Sequence, residues 1–99
     1  MKINLDGLTY EAKRITAAMT RRALELNALA LDAAAKAEML KEDPDTGLAK
    51  ALIVLLRDNI NEKADLIVDA FGGQFDRELL LNQATAAEIN AILNQIAKG

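Results

Sequence analysis

The sequence predicts a mainly α fold: a small helical bundle with one long N-terminal helix, a second long helix and a short C-terminal helix, preceded by a short β-hairpin. Three observations carry that prediction. Two long stretches place apolar residues at three- and four-residue steps, and the turn Glu42-Asp43-Pro44-Asp45-Thr46-Gly47 separates them. Gly72-Gly73 stops the second stretch, and Thr85-Ala86-Ala87-Glu88 opens a last helix as a capping box. Ahead of both, Lys2-Ile3-Asn4-Leu5 alternates polar and apolar up to Asp6-Gly7, a two-residue hairpin signal. The whole fits one domain over residues 1–99, with a hairpin at 1–15 and helices at 16–42, 47–71, 76–82 and 85–98.

Leu8, Tyr10 and Ala12 continue the alternation and favour the hairpin, although Leu8, Ala12, Ile15 and Met19 also fit a helix starting near Thr9. Thr16 is placed to cap the first helix through its hydroxyl. From Ala17 to Glu42 strong helix formers dominate, without Gly or Pro. This helix carries two apolar stripes, one of Met19, Leu26, Ala30, Ala33, Ala37 and Leu40, and an adjoining one of Leu24, Ala28, Leu31, Ala35 and Met39. Their combined sector is wider than one neighbouring helix covers, so either both other helices of the bundle cover it or another chain does. Basic Lys13, Arg14, Arg21 and Arg22 gather near the start of this helix and Glu38, Glu42, Asp43 and Asp45 near its end, against the helix dipole. Such ends either are solvated or meet complementary charge on a partner.

In the second helix Leu48, Leu52, Leu55, Leu56, Ile60, Ala64, Ile67, Val68 and Phe71 form the apolar face. Asp58, Asn59 and Asn61 favour local backbone bonding and predict a kink or break in its middle. Asp76 is placed to cap a short helix containing Leu79, Leu80 and Leu81, and Ile89, Ile92, Leu93 and Ile96 form the stripe of the last helix. Phe71 and Phe75, two of the three aromatic residues, flank the glycine pair and are expected in the core with Gly72 as the turn between helices.

The composition narrows function by exclusion. With no Cys, His or Ser, the chain offers no thiol or serine nucleophile and no imidazole base, so no catalytic, cofactor-binding or metal-binding residue is expected and the protein reads as non-enzymatic. Asp43-Pro44-Asp45-Thr46-Gly47 looks like a calcium loop, but the position of the bidentate Glu is Val54. Glu62, Asp65 and Asp69 share a helix face and read as hydrated, with no other polar group predicted to converge on them. A net charge of −3 and few aromatics oppose nucleic-acid binding, and no apolar run approaches the roughly 20 residues of a membrane span. The N-terminus lacks the pattern of a signal peptide, which favours the cytoplasm.

Three phrases together carry a family resemblance: Leu5-Asp6-Gly7-Leu8-Thr9-Tyr10, then Lys13-Arg14-Ile15-Thr16-Ala17-Ala18-Met19-Thr20-Arg21-Arg22-Ala23-Leu24-Glu25-Leu26, then Asp65-Leu66-Ile67-Val68-Asp69-Ala70-Phe71-Gly72-Gly73-Gln74-Phe75. In this combination the chain resembles the tail assembly chaperones of long-tailed, siphovirus-type phages that infect Gram-positive bacteria, small proteins encoded before the tape measure protein. It departs from them after Phe75, where Asp76-Arg77-Glu78 stands in place of a Thr with acidic residues. The resemblance implies an assembly factor that binds and solubilises the tape measure protein and helps recruit tail tube subunits. It further implies a homo-oligomer, a place in the cytoplasm of the bacterial host rather than in the mature virion, and a longer form made by ribosomal frameshifting. The residues also fit a small helical structural or regulatory adaptor, such as a head-tail connector component or an antitoxin-like partner. For partner contact the sequence nominates Leu24, Leu31 and Met39 on the first helix, with Arg21 and Arg22 as steering charges.

Overall fold

A computed structural model describes residues 1–12 and 14–99; Lys13, counted above among the basic residues before the first helix, lies outside the described residues. The element order is β1 (Lys2–Leu5), β2 (Leu8–Glu11), α1 (Ala17–Glu42), α2 (Thr46–Ala70), α3 (Arg77–Gln83) and α4 (Ala86–Lys98). The predicted bundle with an N-terminal hairpin forms, and every helix boundary falls within a residue of its expected place.

β1 and β2 pair antiparallel, with Ile3 opposite Tyr10 and Leu5 opposite Leu8. Asp6 (φ 52°) and Gly7 (φ 78°) are both left-handed, the backbone a two-residue turn needs to match strand twist. Each helix starts on a side chain that accepts the amide hydrogen three residues on: Thr16 from Met19 at 3.2 Å, Asp45 from Leu48 at 3.1 Å, Asp76 from Leu79 at 2.8 Å and Thr85 from Glu88 at 3.2 Å. Glu88 accepts in return from the Thr85 amide, which completes the capping box. α2 ends one residue earlier than its apolar pattern, because Phe71 is the cap. Beyond it the Gly72 N–H donates to the Asp69 carbonyl and the Gly73 N–H to the Val68 carbonyl, both at 3.0 Å, the paired bonds of a Schellman motif. Gly72 sits at φ 68°, where a side chain would be strained.

The core gathers at one end of the molecule. Phe71 and Phe75 are buried, their ring centroids 5.5 Å apart, and Tyr10 meets Phe75 edge-on at 5.0 Å, which seats the hairpin on the corner between α2 and α3. Gln74 fastens the same corner by donating to the Glu11 and Phe71 carbonyls. Ile3, Leu5, Ala23, Leu26, Ile67, Leu80 and the α4 stripe of Ile89, Ile92, Leu93 and Ile96 complete this core.

The expected break in α2 does not occur; the helix runs unbroken from Thr46 to Ala70. Asn59 is buried and its Nδ2 donates to the Leu26 carbonyl of α1 at 3.0 Å, so its amide joins two helices instead of competing for its own backbone. Lys63, four residues on, is also buried, and its Nζ donates to Asn90 Oδ1 of α4 at 3.0 Å.

Phe71→Ala is expected to cost about 3 to 5 kcal/mol, since Phe71 is fully buried at the junction of α2, α3 and the hairpin. Denaturant unfolding followed by circular dichroism checks this, and a native-like midpoint would contradict the core assignment. Burial lowers the Lys63 ammonium below its ordinary pKa of 10.5. The unfolded chain therefore holds this proton more tightly than the folded one. The penalty is present in full below the folded-state pKa and is relieved as pH rises towards 10.5. Lys63→Met should accordingly melt at a higher temperature than the parent at neutral pH, with the gap narrowing as the solution is made alkaline.

Candidate functional site

α1 and α2 continue well past the core as a two-helix arm, within a molecule that measures 46 × 28 × 16 Å. Its inward residues are small or sparse: Ala33 and Leu52 are buried, while Ala30, Ala37, Leu40, Leu48 and Leu55 are half-buried. These hold the two helices to each other and leave their other faces open.

The first expected stripe of α1, from Met19 to Leu40, faces α2 and α4. The second does not adjoin it but lies on the opposite side, where no element of the chain covers it. Leu24 is 55% exposed, Leu31 73% and Met39 62%, with exposed Ala28 and Ala35 between them. The expectation that both other helices of the bundle cover this stripe is thus not met. Helical geometry explains the correction: steps from 24 to 28, 31, 35 and 39 stay on one line, and at about 100° per residue that line is centred nearly half a turn from Ala23, Leu26, Ala30 and Ala33.

The two nominated arginines differ. Arg21 is exposed and makes no ion pair among the described residues. Arg22 lies 3.1 Å from Glu25 and 3.4 Å from Glu62, so much of its charge is engaged within the chain. Phe71 and Phe75 are in the core, and Gly72 is exposed at the turn beside them.

The acidic face of α2 is also different from its expected form. Arg22 of α1 reaches Glu62, and Arg77 of α3 reaches Asp65 at 3.2 Å, so two guanidinium groups do converge on these carboxylates. Glu62 and Asp65 thus link α2 to α1 and α3 through exposed ion pairs. Among the described residues no group of acids is arranged to hold a metal ion.

Sequence reasoning missed a second apolar surface. Ile53 (66% exposed), Val54, Leu56 and Ile60 of α2 stand open on the arm, although Leu56 and Ile60 had been assigned to the inward stripe. The signal was present in Ala51-Leu52-Ile53-Val54-Leu55-Leu56, an apolar run that passes right round the helix and that one neighbour cannot cover.

Between the arm helices a furrow begins where α4 ends. α4 lies antiparallel to α1: Thr20 Oγ1 donates to the Ile96 carbonyl at 3.0 Å, and Asn27 Nδ2 to Asn94 Oδ1 at 3.2 Å. Past the start of α4 at Ala86 the furrow is open, with Ala30 of α1, Leu56, Ile60 and Lys63 of α2, and Ile89 and Asn90 of α4 around it. Asn27, Leu31 and Asn94 extend it along the seam between α1 and α4, where Lys63 and Asn90 recur. No helix among the described residues is long and apolar enough to cross a membrane.

No curated protein and no solved structure matches the chain. A family model described as phage tail chaperone protein matches residues 1–99, which takes in the hairpin, the corner at Phe71 and the whole arm, and the chain belongs to that family.

Proposed function

We propose that the protein binds and solubilises the phage tape measure protein during tail assembly and helps recruit tail tube subunits, acting without catalysis. The observation that supports this reading is the arm, whose apolar residues on α1 and α2 have no cover within the chain. A long helical client can lay an apolar face along such an arm, in the way amphipathic helices enter grooves. Leu24, Leu31 and Met39 are the contact residues we assign on α1, with Arg21 as the freer steering charge and Arg22 the more committed one.

Magnitudes favour a reversible complex. Covering an exposed Leu or Met contributes roughly 2 kcal/mol. Association costs about 4 kcal/mol or more in lost translational and rotational freedom. Three such side chains on one chaperone therefore give weak binding, and stable coating of a client requires several copies side by side. Self-association of the chaperone, in which basic and acidic ends of α1 meet between copies, belongs to the same proposal. So do a place in the cytoplasm of the bacterial host and absence from the mature virion.

Coexpression with the tape measure protein should keep that protein in the soluble fraction, whereas Leu24→Asp combined with Leu31→Asp should fold normally by circular dichroism yet leave it in the pellet. A tape measure protein equally soluble without this chain removes the basis of the proposal. Sedimentation at low and high salt tests the oligomer: assemblies that shrink as salt rises are expected, and a monomer at every salt concentration rejects self-association through charged ends.

A further inference from the structure

We infer that the furrow at Lys63 receives a carboxylate from an amphipathic helix of the client, so that the arm selects helices with an acidic residue set among apolar ones. The inference rests on the client-binding reading above and adds a second contact, on the side of the arm where Leu56 and Ile60 stand open beside α4 rather than on the Leu24 and Met39 side of α1.

Lys63 is 5% exposed, yet among the described residues it makes no ion pair. Its ammonium has three donors and one acceptor, the neutral Asn90 Oδ1. The chain has acidic residues to spare, 15 against 12 basic ones, but places none of them here. Where Arg22 and Arg77 meet carboxylates on an exposed face, Lys63 meets only carboxamides at the edge of an apolar furrow. A buried cation without a counter-charge is unfavourable in the isolated protein, and burial lowers its pKa accordingly.

The shape of the furrow indicates the form of the occupant. Ala30, Leu56, Ile60, Lys63, Ile89 and Asn90 enclose a cavity of about 200 Å³ beside the start of α4, room for one side chain reaching in from a helix laid across its mouth. Leu31, Leu56 and Ile60 offer such a helix apolar contacts on both sides of Lys63. Charge then discriminates between helices. A neutral helix laid over Lys63 removes the last solvent from its ammonium and returns at most a neutral acceptor. A Glu or Asp at that point supplies the opposite charge together with a charge-assisted hydrogen bond.

Two synthetic helical peptides test this, identical except for one central residue, Glu in one and Gln in the other, with Leu at positions i−4, i+3 and i+7 relative to it. Fluorescence anisotropy should show the Glu peptide binding the full chain at least about tenfold more tightly than the Gln peptide, as the coupling of a close pair of opposite charges predicts. In Lys63→Met the two peptides should bind alike. The comparison on the parent protein needs no mutant, so it stands even if Lys63→Met fails to fold. Equal binding of both peptides to the parent overturns the inference, as does failure of the Glu peptide to bind. A furrow filled by a second copy of this chain overturns it too, seen as Lys63 side-chain resonances that shift with protein concentration in the absence of peptide. A chain that solubilises the tape measure protein but ignores the Glu-to-Gln difference loses only this inference. One that discriminates the peptides but leaves the tape measure protein insoluble loses only the chaperone reading.

Discussion

Helix lengths set what the rest of the molecule can do. At 1.5 Å per residue α1 and α2 run about 39 and 38 Å, whereas α4, the helix packed against both, runs about 20 Å. α4 can therefore complete a core over only half of the long pair. The aromatic corner at Phe71 concentrates that core further by drawing α3 and the hairpin to the same end. What remains is an arm with a narrow, alanine-lined seam, on which apolar residues point outward with nothing to meet. In a protein of this size that exposed surface forgoes burial the fold could use, which is the physical ground for the binding role proposed for it.

Features governed by neighbours in sequence were legible. Thr16, Asp76 and Thr85 each act on an amide three residues away, and the Gly72 turn closes bonds within the last turn of α2, so local spacing suffices to find them. The inward stripe of α1 followed from periodicity for the same reason. Features governed by distant parts of the chain were not legible. Leu52 is buried while Leu56 and Ile60 are open, although all three fit one helical spacing, because Leu52 lies on the side of α2 that meets α1 and the other two drift to the side that α4 stops short of covering. Asn59 looked like a helix breaker until its partner, the Leu26 carbonyl, was known. Lys63 carried no sequence signal at all, since a lysine between Glu62 and Ala64 reads as solvated surface unless the packing of α4 is given.

The candidate site divides in a similar way. Leu24, Leu31 and Met39 were found because the apolar excess of α1 is a property of one helix, and excess can be counted without knowing the fold. That the two stripes of α1 oppose rather than adjoin each other follows from helix geometry alone. It changes the reading from a broad core face to a two-sided helix, with one side for its own chain and one free. The acidic trio went the other way: a face read as hydrated also carries exposed ion pairs, Glu62 with Arg22 of α1 and Asp65 with Arg77 of α3.

Stability and binding pull against each other at Lys63. An apolar residue there would close the end of the core more favourably, since methionine has a similar length and needs no hydrogen bond. Asn90 only softens the cost, for a carboxamide oxygen satisfies one donor and leaves the charge uncompensated. Asn59, its neighbour one turn earlier, likewise makes one hydrogen bond to the chain, to the Leu26 carbonyl. Charge separates the two residues: Asn59 is neutral, and Lys63 carries a charge that no carboxylate meets among the described residues. A charge left uncompensated at the edge of an apolar furrow favours an anionic contact over a neutral one. Under the client-binding proposal such a contact would add selectivity without the large apolar area that makes release slow.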